Sequence, residues 1–367
     1  MKTIRRLIYR EVLISVLFVT VGFLALFFFF DFVDELPNIN RGVTGYRLTQ
    51  ALGYVVLRLP SHLYELLPIT VLIGTIFVMA RLAQSSEYTI LRTSGLGPWR
   101  AMRTLLALGA VFTILTFAAG DYLAPVSDRN AQLLKARVDG GLSIGQTGAW
   151  LKERQSNKTY NVNVAAITPQ GDMERVRIFE SDAQGFLVSV TQAPRAKFGR
   201  DGAWMLENLE RSEFSSPGAE SAKVQRVNLP SLRWPTEITP EMVSVALLKP
   251  DRMSTIDLFQ YVRHLEANAQ SAQRYEIEFW RKVFYPLSCM VMVVLALPFA
   301  YLHFRSGGIT SYVFGGVLIG ISFFLLNNVF GYVGNLQNWR PWLTAAAPGL
   351  IYSALSLGAF GWLVLRR

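Results

Sequence analysis

The sequence predicts an α-helical membrane protein with six transmembrane helices and an all-β, jellyroll-like domain inserted between the third and fourth. Three observations predict it. Of 367 residues, 51% are hydrophobic, and they cluster in runs close to the ~20 residues needed to cross ~30 Å of hydrocarbon. Segment 121–280 breaks that pattern with short alternating runs separated by turn residues. Charge is partitioned the same way: 121–280 holds 19 Lys+Arg and 20 Asp+Glu, and the remainder holds 17 and 6. A basic excess beside apolar runs marks topology and contact with anionic headgroups, and argues against a nucleic-acid partner.

The first apolar run, 12–30, follows Lys2, Arg5, Arg6 and Arg10 and ends in Phe27 to Phe30. It is too long for a signal peptide and no small-residue cleavage site closes it, so it reads as a retained helix. The second run, 66–80, extends an apolar stretch from Ala51, with Arg58, His62 and Glu65 in its first half. Pro60 and Pro68 are its candidate kink sites. Runs 104–120, 283–301, 309–330 and 342–365 complete the six. The phenylalanine-rich ends read as interface belt or packing. Asn327 and Asn328 in the fifth run suit hydrogen bonds between helices. The single cysteine, Cys289, lies within an apolar run, so no intrachain disulfide is available. One side collects the basic N-terminus, Arg81, Arg92, Arg100, Arg103, Arg305, Arg366 and Arg367, against Arg41, Arg47 and Arg340 on the other. The positive-inside rule makes the first side cytoplasmic, with both termini.

Within the insert, strands are predicted over 148–154, 159–164, 175–179, 185–191, 203–209 and 223–229. Turn signals lie at 156–157, 169–172, 199–202 and 215–218. Ser254 or Thr255 then caps a helix with Asp257 in its first turn and Leu258, Tyr261, Val262 and Leu265 on one face. The division is 1–125 (three helices and a cytoplasmic helix near 84–95), 126–250 (the β domain with connectors) and 251–367 (a connecting helix and three further spans).

Few motifs carry chemistry. There is no Gly-Lys-Ser or Gly-Lys-Thr, so the chain is not an ATPase of the P-loop class. There is no His-Glu-x-x-His, and one cysteine with three histidines does not build a usual structural zinc site. A Gly-x-Ser-x-Gly at 141–145 lacks the preceding strand and following helix of a nucleophile elbow, and reads as a connector. No cofactor or metal is expected in the chain.

The segment 81–103 is the most informative. Ser85 or Ser86 suits a helix cap, Glu87 sits in the first turn, and Gly95 with Gly97–Pro98 stops the helix. It reads either as a surface helix or as a coupling helix exposing Glu87, Tyr88 and Leu91 to a separate motor. The run Arg81 to Gly95, with Ser-Glu-x-x-x-x-x-x-Ser-Gly, resembles the corresponding segment of the LptF/LptG permease family. Other pieces agree in order: Phe32-Val33-Asp34-x-Leu36, Leu123-Ala124-Pro125, Gly148-Ala149-Trp150, Leu248-x-Pro250-Asp251 and Phe284-x-Pro286-Leu287. The Phe-Val-Asp and Asn328-to-Gly331 neighbourhoods look more like the LptG branch than the LptF branch.

The resemblance implies the following. The chain is a permease subunit of a lipopolysaccharide exporter in a Gram-negative inner membrane, and its β domain is a periplasmic jellyroll. Its partners are an LptF-like permease, an LptB-like ATPase dimer that binds the ATP, and an LptC-like protein leading to a periplasmic bridge. Glu87, Tyr88, Leu91 and Arg92 are the ATPase-coupling residues. Lipopolysaccharide needs cations at headgroup height, and Arg41, Arg47, Arg58, Lys135 and Arg137 are placed there, as substrate contacts or as side chains snorkelling to ordinary phospholipid. Family members commonly place lysines after the first span; here stand Asp31, Pro37 and Asn38. Arg58, His62 and Glu65 share a helix face, as an internal ion pair or a functional cluster. Competing readings are the LptF-type subunit, a membrane scaffold and an enzyme acting on lipid headgroups.

Overall fold

The computed structural model describes residues 2–39, 46–85, 87–139, 148–168, 171–199, 202–214, 224–246, 250–301 and 309–362. They form two compact units. A helical unit comprises Met1–Asp34, Arg58–Ser127 and Gln273–Arg367, and a second unit comprises Glu35–Leu57 and Asp128–Ala272.

Among the described residues, six helical segments are long and apolar enough to cross a membrane: Thr3–Asn38, Leu48–Gln84, Pro98–Lys135, Gln273–Tyr301, Ile309–Leu336 and Pro341–Phe360. They contain α1 (Lys2–Glu35), α2 (Leu48–Gln84), then, after the short α3 (Glu87–Thr93), α4 (Pro98–Ala118) and α5 (Ala124–Asp139). All six expected runs are present. α2 continues through Pro60 and Pro68 without a break. A π-helical turn, Ala119–Leu123, joins α4 to α5, the kind of ladder irregularity that releases backbone carbonyls for other partners.

Between lipid-facing helices there is no hydrophobic driving force, so close approach of backbones decides the packing. On α2, a Cβ at Gly74 would lie 2.8 Å from the Val16 backbone of α1. A Cβ at Gly120 would come closer still to the Tyr64 ring. Short polar bonds add to this: Thr20 Oγ1 donates to Thr70 Oγ1 at 2.9 Å, and Thr116 Oγ1 lies 3.2 Å from the buried Cys289 Sγ. Of the fifth-span asparagines, only Asn328 bridges helices, accepting from Arg281. Asn327 turns back to its own helix, donating to the Phe323 carbonyl at 3.0 Å, because a carbonyl four residues earlier is always within reach.

The second unit holds one six-stranded antiparallel sheet: β1 (Ala149–Gln155), β2 (Lys158–Ile167), β3 (Met173–Ser181), β4 (Leu187–Phe198), β5 (Ala203–Phe214) and β6 (Val224–Pro235), in the order β1-β2-β3-β4-β5-β6. All six expected strands form, and all but β1, which is shifted by one residue at the same length, are longer than the sequence pattern marked. The topology is an up-and-down meander, without the crossovers of a jelly roll proper. The reason is local: the first four connections are tight hairpins, which keep sequence neighbours adjacent. Three of them repeat one geometry. Thr168, Asp182 and Gly199 each bond the residue four positions on, and Gly171, Gly185 and Gly202 each donate back with φ of 91°, 90° and 73°. That left-handed residue closing a short loop is where glycine carries no Cβ penalty.

The sheet is creased. Between the pairs Glu174↔Arg195 and Val176↔Ala193, Arg175 faces Pro194. Between Glu207↔Ser231 and Leu209↔Leu229, Asn208 faces Pro230. Proline offers no N–H to the ladder, and Arg175 and Asn208 both take left-handed backbones, φ 51° and 52°. Prolines and left-handed residues thus alternate in one row across four strands. The sheet curls so that its two outer strands meet at one end: Gln155 Nε2 donates to the Pro235 carbonyl at 3.1 Å, and Glu153 accepts from Thr236 and from the Glu237 N–H. The concave core holds Leu151, Val162, Val164, Ile178, Leu206 and Trp204, whose indole donates to the Ile238 carbonyl at 2.7 Å.

After the sheet come α6 (Pro240–Ala246) and α7 (Thr255–Ala267). Ser254 caps α7 in a full capping box with Asp257, as the sequence implied. α8 (Gln273–Phe284), α9 (Ser288–Ala296), α10 (Ile309–Leu336) and α11 (Pro341–Phe360) complete the helical unit.

Candidate functional site

The short helix α3 is built as a seated element. Its C-terminus is a Schellman motif: Leu96 N–H bonds the Leu91 carbonyl at 3.0 Å and Gly95 N–H bonds the Arg92 carbonyl at 3.1 Å. Gly95 supplies the left-handed φ of 98° that the motif needs. Leu96 is buried and Leu91 packs against the same core. Arg100 Nη1 donates to the Gly95 carbonyl at 3.0 Å, tying the loop to α4. Ser85 does not cap α3. Its hydroxyl returns to the Arg81 carbonyl and closes α2; Ser86 lies outside the described residues.

Tyr88 corrects the expected exposed face. It is 3% exposed, its hydroxyl donates to Tyr301 Oη at 3.1 Å, and the two rings meet edge-on at 5.2 Å. Burial, then the neighbouring Tyr301, hold its phenol above the ordinary range. An aromatic ring gains most from burial when its hydroxyl also finds a partner, and Tyr301 provides both. Leu91 is half-buried, while Glu87, Ile90 and Arg92 point out. Arg92 also lies over the Tyr301 ring, 5.7 Å from its centroid.

A second polar cluster joins α1 to α2. Asp31 receives His62 Nε2 at 2.7 Å and Arg58 Nη1 at 3.5 Å. Phe27 packs on the His62 ring at 4.8 Å. The buried His62 Nδ1 has no partner among the described residues. The Arg58 and His62 pair noticed in the sequence is thus completed by an acid from the first span. Glu65 is not one of Asp31's partners; its carbonyl accepts from Tyr285 Oη. In the second unit, Lys135 Nζ bonds Glu35 at 3.2 Å and lies 4.9 Å over the Tyr54 ring. Arg47 is exposed, its N–H donating to Gln50. Arg41, the Arg137 side chain and the 141–145 motif lie outside the described residues.

Sequence reasoning missed Lys282. The helix of the fourth span begins ten residues before the expected start, which places Lys282 inside it. This buried ammonium donates to the Gly120 carbonyl at 2.8 Å in the π-helical turn. Its acceptor is a backbone atom from another span, so no local residue pattern announces it.

In chain order, three apolar helices, a β unit and three further apolar helices, with a short helix between the second and third, fit a membrane permease with an inserted β domain. The chain matches the family described as lipopolysaccharide export system permease LptF/LptG over residues 6–366, and it belongs to that family. It is 28% identical over 339 residues to the lipopolysaccharide export system permease protein LptG of Escherichia coli (strain K12), covering 92% of this chain and 90% of that one. It is 24% identical over 368 residues to the LptG of Haemophilus influenzae (strain ATCC 51907 / DSM 11121 / KW20 / Rd), covering 100% and 99%.

Proposed function

We propose that this chain is the LptG-type permease subunit of an ABC-type exporter that draws lipopolysaccharide out of the Gram-negative inner membrane and passes it to a periplasmic bridge. The observation that carries the reading is α3: a seven-residue helix anchored inward by Tyr88 and Leu91 while Glu87, Ile90 and Arg92 point outward. In this reading an LptB-like ATPase dimer, which binds and hydrolyses the ATP, receives the outward face. Tyr88 and Leu91 act from the inside, as the anchors that hold it. The basic flanks place both termini and α3 in the cytoplasm and the β unit in the periplasm. The curled sheet serves as the jellyroll-like trough, its outer strands continuing toward an LptF-like permease and an LptC-like protein.

Asp31 changes what the substrate meets. Arg58 and His62 already hold an internal carboxylate, as Lys135 holds Glu35. A phosphorylated sugar approaching Arg58 therefore exchanges with Asp31, whereas exposed Arg47 needs no exchange.

Charge reversal tests the assignment. Glu87→Arg should cut co-purification of the ATPase by about tenfold or more, since like-charge contact at an interface costs several kcal/mol, and should stop export in a depletion strain while the chain still inserts. Normal export from that variant would sink the reading in favour of a scaffold.

A further inference from the structure

The bundle carries a basic cavity that neither the α3 contact nor the Asp31 cluster uses. It measures about 400 Å³ and lies between the start of α1 and the first three turns of α4, as far as Ala107, within the size range of small-ligand sites, roughly 300–1,000 Å³. Arg5 and Tyr9 stand one turn apart on α1. Arg100, Arg103 and Thr104 stand on one face of α4. Among the described residues no carboxylate lines it. Arg100 is held in place by its bond to the Gly95 carbonyl, and Thr104 Oγ1 bonds the Arg100 carbonyl, so this wall is pre-ordered. A second, shallower cavity shares Arg5 and Tyr9, is bordered by Arg6 and Arg10, and runs on along α1 to an apolar end at Leu13 and Ile14, both exposed.

A polar, three-arginine pocket above an apolar strip has the chemistry of an anionic phospholipid: a phosphate between guanidinium groups, with acyl chain along the helix. Planar guanidinium groups suit phosphate oxygens better than ammonium groups do. Basic pockets between helices at the cytoplasmic surface are a known means of holding acidic headgroups. A free phosphate would use the arginines but not the strip.

We infer that this cavity binds one anionic phospholipid of the leaflet that faces α3, with Arg5, Arg100 and Arg103 as headgroup ligands. Naming that leaflet cytoplasmic rests on the orientation proposed above; the binding itself does not.

The test uses the full chain, delipidated in detergent and titrated with phosphatidylglycerol or phosphatidylcholine of matched acyl chains, read by native mass spectrometry. One phosphatidylglycerol per chain should be retained in preference to phosphatidylcholine. The pair Arg5→Gln with Arg103→Gln should weaken retention by about 30-fold, as loss of two headgroup cations predicts. Ala107→Phe, which narrows the cavity without altering charge, should also weaken it, and covers the case in which the double variant fails to fold. Arg195→Gln, an exposed cation of strand β4 outside the cavity, should leave lipid retention unchanged. Equal retention of both lipids, equal loss with Arg195→Gln, or displacement of the lipid by inorganic phosphate alone would each overturn the site. An ATPase that still co-purifies with the lipid-free variant would leave the permease reading standing.

Discussion

The two units turn opposite faces to their surroundings. In the helical unit large apolar side chains lie on both sides: Leu72, Ile76 and Phe323 are buried, Phe18 and Ile114 face out at 80% and 68% exposure, and glycines and hydroxyls take the closest helix contacts. In the β unit Trp204, Leu206 and Leu151 are inside, and polar side chains take most of the exposed positions of strand β6. The solvent explains the difference. Lipid gives no reward for burying one apolar group against another, so the bundle relies on contact distance and short hydrogen bonds. Water gives that reward, so the sheet relies on bulk.

Three substitutions or conditions probe that contrast, in descending size. Trp204→Ala should destabilise the β unit by about 3–5 kcal/mol, the usual range for deleting a buried aromatic, visible by pulse proteolysis of the full chain in urea. An equal fall in the melting temperature of the helical bundle would break the contrast. Gly74→Leu should destabilise the bundle by about 1–3 kcal/mol through overpacking, because its Cβ would collide with the Val16 backbone. Gly22→Leu on α1, which has open space around it, should leave the detergent melting curve unchanged. If both behave alike, contact distance is not what holds these helices.

The smallest effect is that of pH, and it belongs to the β unit. Burial holds His264 below the ordinary histidine value of 6.5, although Glu153 and Glu237 oppose it. A depressed pKa gives stability that is complete above the ordinary value and lost as pH falls below it. Burial alone would raise Glu180, but Lys158, Ser189 and Arg211 outweigh burial and hold it below 4.5, so its contribution is lost at still lower pH. The raised Lys158 belongs to the same pair, and its contribution fades only above 10.5. Proteolytic susceptibility in urea should therefore begin to rise below about pH 6.5, and His264→Gln should remove that first step.

The spans and strands were legible because each is a periodic pattern within one stretch of chain. Contacts between stretches were not. The Arg58 and His62 spacing was visible, but Asp31 is a separate residue on another helix, and only packing joins them. Tyr88 read as a docking residue because nothing in Glu87–Thr93 reveals Tyr301. Asn327 and Asn328 look equivalent in sequence, and a step of about 100° around the helix separates the residue that bridges from the one that does not. The sheet's six strands were countable from turn residues, whereas their meander order depended on how tightly each hairpin closes.

The row of Arg175, Pro194, Asn208 and Pro230 also bears on solubility at high local concentration. A six-stranded sheet with open outer strands is a template for uncontrolled strand addition and aggregation. Pro230 leaves the outer strand β6 without an N–H near its middle, between Arg226 and Arg233. A foreign strand in flat register loses its ladder at the crease, since fibrils need an unbroken, proline-free repeat. A partner shaped to the same bend does not, so the crease selects against self-association while leaving a short edge open to one matched neighbour.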